Sequence, residues 1–171
     1  MTRIILALAM LLVFVAAIST EEIRIGYVDS GRIKNEFKEF KDAQDQFQKE
    51  YEAKILEAEK KRSDLQTKQE DFDKQKLILS PDKSKEKEAE LQALLEEYQK
   101  YVAANFDQEQ GELKKRSDEL AAPVLDKVNK AVKKIAQENK YTVVFDVSSP
   151  SILYFKDNFD ITEEVLRDLR K

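Results

Sequence analysis

The chain of 171 residues carries 30 Lys and Arg against 34 Asp and Glu, so its formal net charge is only −4 although 37% of its residues are charged. This composition, with only three glycines, is typical of long helices and coiled coils and argues against a loop-rich enzyme. The absence of Cys and His excludes disulfides, Cys/His metal sites and Cys/His nucleophile pairs, and the interleaving of both charges argues against a nucleic-acid-binding tail.

The first 20 residues have the pattern of a secretory signal peptide. Arg3 precedes an apolar run over 4–18, and the small residues Ala17 and Ser19 stand near its end as in a cleavage site. The run is shorter than the roughly 20 residues that a membrane-spanning helix needs. We therefore predict a cleaved signal peptide over 1–20, with an uncleaved membrane anchor as the alternative. Cleavage would remove Arg3 and no acidic residue, which leaves the mature chain more acidic.

A strand and a helix start are predicted directly after this segment. Apolar residues alternate with others over 23–27, which is typical of a strand, and Asp29 or Ser30 can then cap a helix that begins near Gly31. The two glycines of this stretch have the spacing of a phosphate-binding loop. Arg32 and Ile33, however, occupy the places where such a loop needs Lys and Ser or Thr. We therefore expect a strand-to-helix turn without a nucleotide.

One long helix is predicted next, because apolar residues recur every seven positions. One row of the heptad pattern consists of Phe37, Gln44, Tyr51, Ala58, Leu65, Phe72 and Leu79. A second row begins with Phe40 and Phe47 and continues with Lys54, Lys61 and Lys68. The apolar stripe of a coiled coil therefore narrows along this helix. The five aromatic residues Phe37, Phe40, Phe47, Tyr51 and Phe72 are interpreted as helix-packing residues.

A second helix is predicted to return antiparallel to the first. Ser80 can cap it and Pro81 suits its first turn. Its apolar positions are Leu91, Leu95, Tyr98, Val102, Phe106, Leu113 and Leu120, with an extra step of four at Phe106. Pro123 interrupts the pattern and is predicted to be a kink, a new helix start or a hinge. The helix is expected to end near Asn139, which tolerates the left-handed conformation.

Two further strands and a short helix are predicted at the C-terminus. β-Branched and aromatic residues crowd into 142–147 and 152–155 around a Ser-Ser-Pro turn, and Asp160 with Glu163 has the spacing of a capping box. The predicted fold class is α+β and mostly helical. A long antiparallel coiled-coil hairpin, the arm (41–119), would extend roughly 60 Å from a small body formed by 21–40 and 120–171.

Such a small body buries little surface by itself, so other copies of the chain are expected to complete its core. The candidate interface residues, which are the dense apolar residues of the predicted strands, are Ile25, Tyr27, Val143, Phe145, Ile152 and Tyr154.

The turn of the arm has two interpretations. The apolar residues Leu77, Ile78 and Leu79 and the basic residues Lys83, Lys85 and Lys87 together form the tip of the arm. The tip could bind an acidic surface, a lipid surface or apolar segments of a client. The interpretation that we prefer is that the apolar side chains close the hairpin while the lysines are solvated.

Four stretches of the chain resemble the Skp/OmpH-like periplasmic chaperones. They are "IGYVDSGRI", "LSPDKSKEKEAELQ", "PVLDKVNKAVKKIAQENKYTVVFDVSS" and "ILYF" followed by "DITEEVLRDL". The resemblance implies a jellyfish-shaped homotrimer, in which strands from three chains form the body and three arms enclose a cavity. It implies a holdase chaperone that keeps unfolded outer-membrane proteins soluble in the periplasm without ATP, a cofactor or a catalytic residue. Transient contact with a membrane surface is a further expectation, whereas nucleic acid is not an expected partner. Familiar members are basic, whereas this chain is acidic.

Two other classes of function compete with this expectation. A structural coiled-coil spacer, anchored in the inner membrane by an uncleaved N-terminus, would use the same helices. An enzyme that works with paired carboxylates would need a concave pocket, which a thin arm and a small body hardly offer.

Overall fold

The computed structural model of the protein describes residues 23–149, 152 and 154–171, so the predicted signal peptide lies outside the described residues. The elements in chain order are β1 (Ile25–Val28), α1 (Ser30–Glu36), α2 (Lys38–Gln75), α3 (Pro81–Phe106), α4 (Glu112–Glu138), β2 (Val143–Asp146), a 3-10 helix (Asp157–Phe159) and α5 (Thr162–Leu169). The predicted class, a mostly helical α+β fold with a long helical hairpin, is confirmed. In the part of the chain that the structure describes, no helix is long and apolar enough to cross a bilayer.

The small sheet joins the two ends of the described chain. β1 and β2 pair in parallel, with Ile25 opposite Val143 and Tyr27 opposite Phe145. The backbone N–H of Thr142 donates to the carbonyl of Arg24 over 2.7 Å. Because a parallel pair needs a long crossover connection, everything between the two strands must leave the sheet and return. That connection contains the whole arm.

The prediction of a second C-terminal strand over 152–155 is wrong for the described residues of that range. Ile152, Tyr154 and Phe155 lie outside any strand, while Ser151 and Leu153 lie outside the described residues. Within this chain, the carbonyl of Tyr27 on β1 already accepts the backbone N–H of Ile161 over 2.9 Å. The free side of β1 is therefore taken by a later segment, in a single bridge rather than a ladder.

The hydrophobic core lies where the ends of the chain meet. Ile33 of α1 packs with Ile161, Val165 and Leu166 at the C-terminus, and all four are at most 1% exposed. The other buried members of the core are Val28, Phe37, Val124, Ala131 and Ile135. Residues from both sides of the arm thus share one core.

Two predicted helix caps are confirmed. The Asp29 carboxylate accepts the backbone N–H of Arg32 over 2.9 Å, and the Ser80 hydroxyl accepts that of Lys83 over 3.4 Å at the start of α3. Each side chain satisfies a backbone donor that the first helical turn leaves unpaired.

Two other predictions about helix ends are wrong in detail. Ile161, not Asp160, is the N-cap of α5, and Glu163 forms an ion pair with Arg32 at 2.6 Å instead of completing a capping box. At the end of α4, the left-handed residue is Lys140, with φ of 58°, rather than Asn139.

The return helix is interrupted at 107–111 and not at Pro123. α4 runs through Pro123 without a new start, so a hinge at this proline stays a prediction. At the observed break, the Asp107 carboxylate accepts the backbone N–H groups of Glu109 and Gln110 over 3.0 and 2.7 Å. These two hydrogen bonds lower the pKa of Asp107. A Cβ at Gly111 would lie 2.4 Å from the carbonyl oxygen of Asp107, so only glycine fits this turn.

We predict opposite effects for alanine at these two positions. Gly111→Ala should lower the free energy of unfolding by about 1–3 kcal/mol, because the new methyl group meets rigid backbone. Pro123→Ala should raise it by about 1–3 kcal/mol, because alanine restores a helical N–H donor and removes the ring clash. Urea unfolding followed by circular dichroism measures both changes. Equal stability of Gly111→Ala and the native chain would contradict this account of the break.

Candidate functional site

The tip presents apolar side chains to solvent. Leu77 is 95% exposed and Ile78 is 84% exposed, whereas Leu79 is half-buried. The preferred interpretation, in which these residues close the hairpin, is therefore wrong for Leu77 and Ile78. The hairpin is closed instead by Phe72 of α2 and Leu91 of α3, which are both buried. Contact of the tip with a client remains a prediction.

Two lysines of the tip already pair with acidic residues of the same helix, so less positive charge is free to bind a partner than the sequence suggests. Lys83 forms an ion pair with Glu86 at 2.6 Å, and Lys87 forms one with Glu90 at 3.1 Å. Both acids follow their lysine by three positions, so they lie on the same face of α3. Lys85 is exposed. The tip is thus apolar with largely balanced charges rather than a strongly basic patch.

The lysine row of α2 forms contacts across the arm. Lys61 forms an ion pair with Glu97 at 2.5 Å, and Lys68 forms one with Glu90. The hydrogen bond from Lys68 is the main cause of the lowered pKa of the Glu90 carboxyl group. The narrow apolar stripe predicted for the outer arm is therefore supplemented by charged contacts between α2 and α3.

Tyr101 occupies the same interface further from the tip. Its hydroxyl donates to the Glu57 carboxylate over 2.9 Å, and the ammonium groups of Lys54 and Lys61 lie 5.7 and 5.5 Å from its ring centre. Burial and the neighbouring carboxylate raise the pKa of Tyr101 to about 12. The tyrosine therefore stays neutral and links α3 to α2 through one hydrogen bond and two cation–π contacts.

Nearer the body, the charges across the arm are reversed. The Glu50 carboxylate of α2 accepts two hydrogen bonds from the Arg116 guanidinium of α4, over 2.7 and 3.0 Å. Glu39 is likewise paired with Lys127 at 2.6 Å. The sequence analysis did not identify these pairs, because acids and bases occur throughout both helices and pairing depends on how the helices are aligned.

The aromatic residues at the start of α2 and along it do pack between helices, as interpreted from their spacing. Phe37 and Phe72 are buried. The ring of Tyr51 lies 6.1 Å from that of Phe47 and meets Phe106 of α3 edge-on at 6.2 Å. These contacts secure the arm where α3 ends.

A groove runs between α2 and α3 in the outer half of the arm. Its volume is about 630 Å³. Its apolar floor consists of Leu65, Phe72, Leu91 and Leu95, and its rim consists of Arg62, Gln66, Gln69, Glu70, Lys76, Glu88 and Gln92. The heptad pattern placed the floor residues in the helix interface, but it did not predict that the interface stays open to solvent.

The candidate interface residues fall into two groups. Ile25, Val143 and Phe145 lie on the face of the sheet that points away from the core, and each is 41–47% exposed. Tyr154 is 80% exposed and Ile152 is half-buried. Tyr27, in contrast, is 5% exposed because Phe155 covers it, with ring centres 4.0 Å apart. The outer sheet face is thus an apolar surface that the described residues leave partly uncovered.

The described residues contain no cluster of three or more acidic side chains placed to hold a metal ion. The family model described as outer membrane protein (OmpH-like) matches residues 24–169, which is nearly the whole described chain. The chain belongs to the OmpH-like family. An uncharacterized protein from Aquifex aeolicus (strain VF5) is 31% identical over 144 residues, which cover 84% of each chain.

A solved structure supports the fold of this OmpH-like chain. The crystal structure of a proposed outer membrane chaperone (OmpH-like) from Caulobacter crescentus CB15 is similar with a TM-score of 0.72. The match covers 88% of this chain and 86% of that one at 16% sequence identity. The two chains therefore share an overall fold although their sequences are quite different.

The cross-arm ion pairs generate a testable prediction. Lys68→Glu should lower the urea midpoint slightly, because it places a carboxylate against Glu90. The exchange Lys68→Glu with Glu90→Lys should be more stable than Glu90→Lys alone, because it restores the pair across the arm with reversed signs, while both variants lose the pair of Glu90 with Lys87. Lys60→Glu on the same helix makes the same change of charge at an exposed position and serves as the control. An exchanged pair no more stable than Glu90→Lys alone would show that this contact does not stabilise the arm.

Proposed function

We propose that this OmpH-like protein is a periplasmic holdase chaperone that binds unfolded outer-membrane proteins and prevents their aggregation without ATP. Membership of the OmpH-like family supports a chaperone role, and the name of the structural relative from Caulobacter crescentus agrees with it. The working form would be a homotrimer whose arms enclose the client, after removal of the signal peptide over 1–20.

The observation that carries this proposal is how little of the arm is buried. α2 has 38 residues, and Phe72 is its one buried residue. A helix of that length in an ordinary domain would bury a whole apolar stripe against a core. Most of the surface of α2 is instead exposed to solvent. An arm that encloses another chain would need such an exposed surface. Because few contacts of the arm are buried, its local opening requires little free energy, which would let the arms adapt to clients of different size.

Apolar contact rather than charge is the proposed source of affinity. The chain has a net charge of −4, and Lys83 and Lys87 at the tip are already paired with acids. Exposed charge pairs contribute little and are screened over about 8–10 Å at physiological salt. Burial of apolar surface contributes about 25 cal/mol per Å² and is not weakened by screening. Many weak contacts from several arms would then add up through avidity.

The first test is a client-aggregation assay without ATP. A urea-unfolded outer-membrane β-barrel diluted into buffer should stay soluble with the mature protein and aggregate without it. Raising the salt concentration from about 0.05 M to about 0.15 M should change the protection only modestly, because screening leaves apolar burial intact. A steep loss of protection with salt would show that charge dominates capture. An elongated, membrane-bound protein that ignores the client would support the spacer function instead.

The second test concerns the trimer. Phe145→Ser in the full chain should shift the mass measured by light scattering from trimer towards monomer, because it removes apolar area from the outer sheet face. Leu56→Ser, at an arm position that is 68% exposed, removes comparable area outside the body and should leave the mass unchanged. A folded Phe145→Ser variant that stays fully trimeric would remove this face from the interface.

A further inference from the structure

The groove in the outer arm is a separate apolar surface within each chain. It does not include the outer sheet face or the exposed leucine and isoleucine of the tip. Phe72 and Leu91 at its floor are buried, while Leu65 and Leu95 are half-buried and accessible from outside. An occupant could therefore cover Leu65 and Leu95 without separating the two helices.

The charge of the groove limits its occupant. Arg62 and Lys76 on the rim are balanced by Glu70 and Glu88, and Lys76 lies 3.6 Å from Glu88. An ionised side chain that entered the groove would lose water and would meet like charges as well as opposite ones, because the rim has no net charge, and this is unfavourable. The complementary occupant is therefore an uncharged segment.

Three glutamines on the rim form the same type of hydrogen bond. The amide N–H groups of Gln66, Gln69 and Gln92 donate to Glu70, Asp73 and Glu96, over 3.0, 3.0 and 3.2 Å. Each bond joins residues four positions apart and uses one of the two N–H donors of the amide, which leaves the amide oxygen able to accept. A row of acceptors above an apolar floor suits a segment that brings backbone N–H donors, and an extended peptide does so because its backbone is not internally bonded.

The length of the floor suits a short extended segment. Side chains on one face of a strand recur every two residues, about 6.6–7 Å apart. From Leu65 to Phe72 the floor is about 10 Å long, which is roughly three residues of an extended chain.

We infer that this groove binds an extended, uncharged segment of an unfolded client in which apolar and polar residues alternate. Strands of outer-membrane β-barrels have this alternation over about ten residues. The apolar side chains would contact Leu65 and Leu95 while the backbone donates to the rim glutamines. The inference rests on the proposed holdase function and deepens it, because it places a capture site inside each arm rather than only in the space between arms.

A matched pair of variants tests the inference in the full-length mature protein. Gln69→Lys adds a charge at the groove, whereas Gln48→Lys makes the same change on α2 outside it. Both glutamines are exposed and both donate to an acid four positions on, over 3.0 and 2.8 Å. Circular dichroism melting checks that both variants remain folded. The probes are a urea-unfolded outer-membrane β-barrel and a labelled peptide of about ten uncharged residues with alternating apolar and polar positions.

Gln69→Lys should weaken binding of the peptide about tenfold and Gln48→Lys by less than about twofold, because only the first charge is desolvated by the peptide. A photo-crosslinking amino acid at position 69 should label both probes, and the same group at position 48 should not. An isomeric peptide with its apolar residues at helical spacing should bind more weakly.

Equal weakening by both variants, or equal crosslinking at both positions, would overturn the inference. Equal or tighter binding of the isomeric peptide would do the same, because the groove would then not select an extended strand. If the native protein protects the β-barrel in these cases, the proposed holdase function stands and only the groove assignment fails. If the native protein neither binds nor protects the β-barrel, the holdase function fails and the groove assignment fails with it.

Discussion

The parallel pairing of β1 with β2 is the constraint on which the rest of the molecule depends. It places the beginning and the end of the described chain side by side and leaves the 114 positions between Val28 and Val143 to form one excursion. The fully buried residues Ile33, Ile161, Val165 and Leu166 reinforce the same junction. An arm attached in this way has both of its ends anchored in one core.

The arm itself is held differently from the body. In the body, apolar side chains from four elements pack together. Along the outer arm, Lys61 and Lys68 reach across to Glu97 and Glu90, and Tyr101 reaches Glu57. Such exposed contacts are individually weak and depend on salt. Most of the buried apolar side chains therefore lie in the body, whereas the arm buries little of its surface between its own helices. The proposed chaperone function uses the surface that the arm leaves exposed.

Much of the fold could be predicted because its signals are local or periodic. The heptad row from Phe37 to Phe72 indicated α2, and Asp29, Ser80 and Pro81 marked helix starts through the chemistry of their own side chains. The break at 107–111 was missed because the proline at 123 is the stronger general signal, although Asp107 and Gly111 supply the turn that forms.

The exposure of the tip and the openness of the groove were harder to predict. Periodicity states which side of a helix faces its partner, but not how closely the two helices approach. Leu77 and Ile78 lie in the turn after α2, where the heptad pattern no longer applies. The groove likewise depends on the distance between the helices at Leu65 and Leu95, and the spacing of apolar residues in the sequence does not predict that distance.

The ion pairs across the arm also limit how its helices can slide. Apolar residues repeating every seven positions would tolerate a shift by one repeat, because one apolar residue takes the place of another, as Phe72 would take that of Leu65. A shift in one direction would bring Lys68 opposite Lys83, and a shift in the other would leave Lys61 opposite Ala104, so each shift would lose one of the two pairs. Slippage is thus penalised by charge even where the apolar contacts would allow it. The arm therefore keeps one reach, and in the proposed chaperone assembly the arms of different copies would end at the same depth.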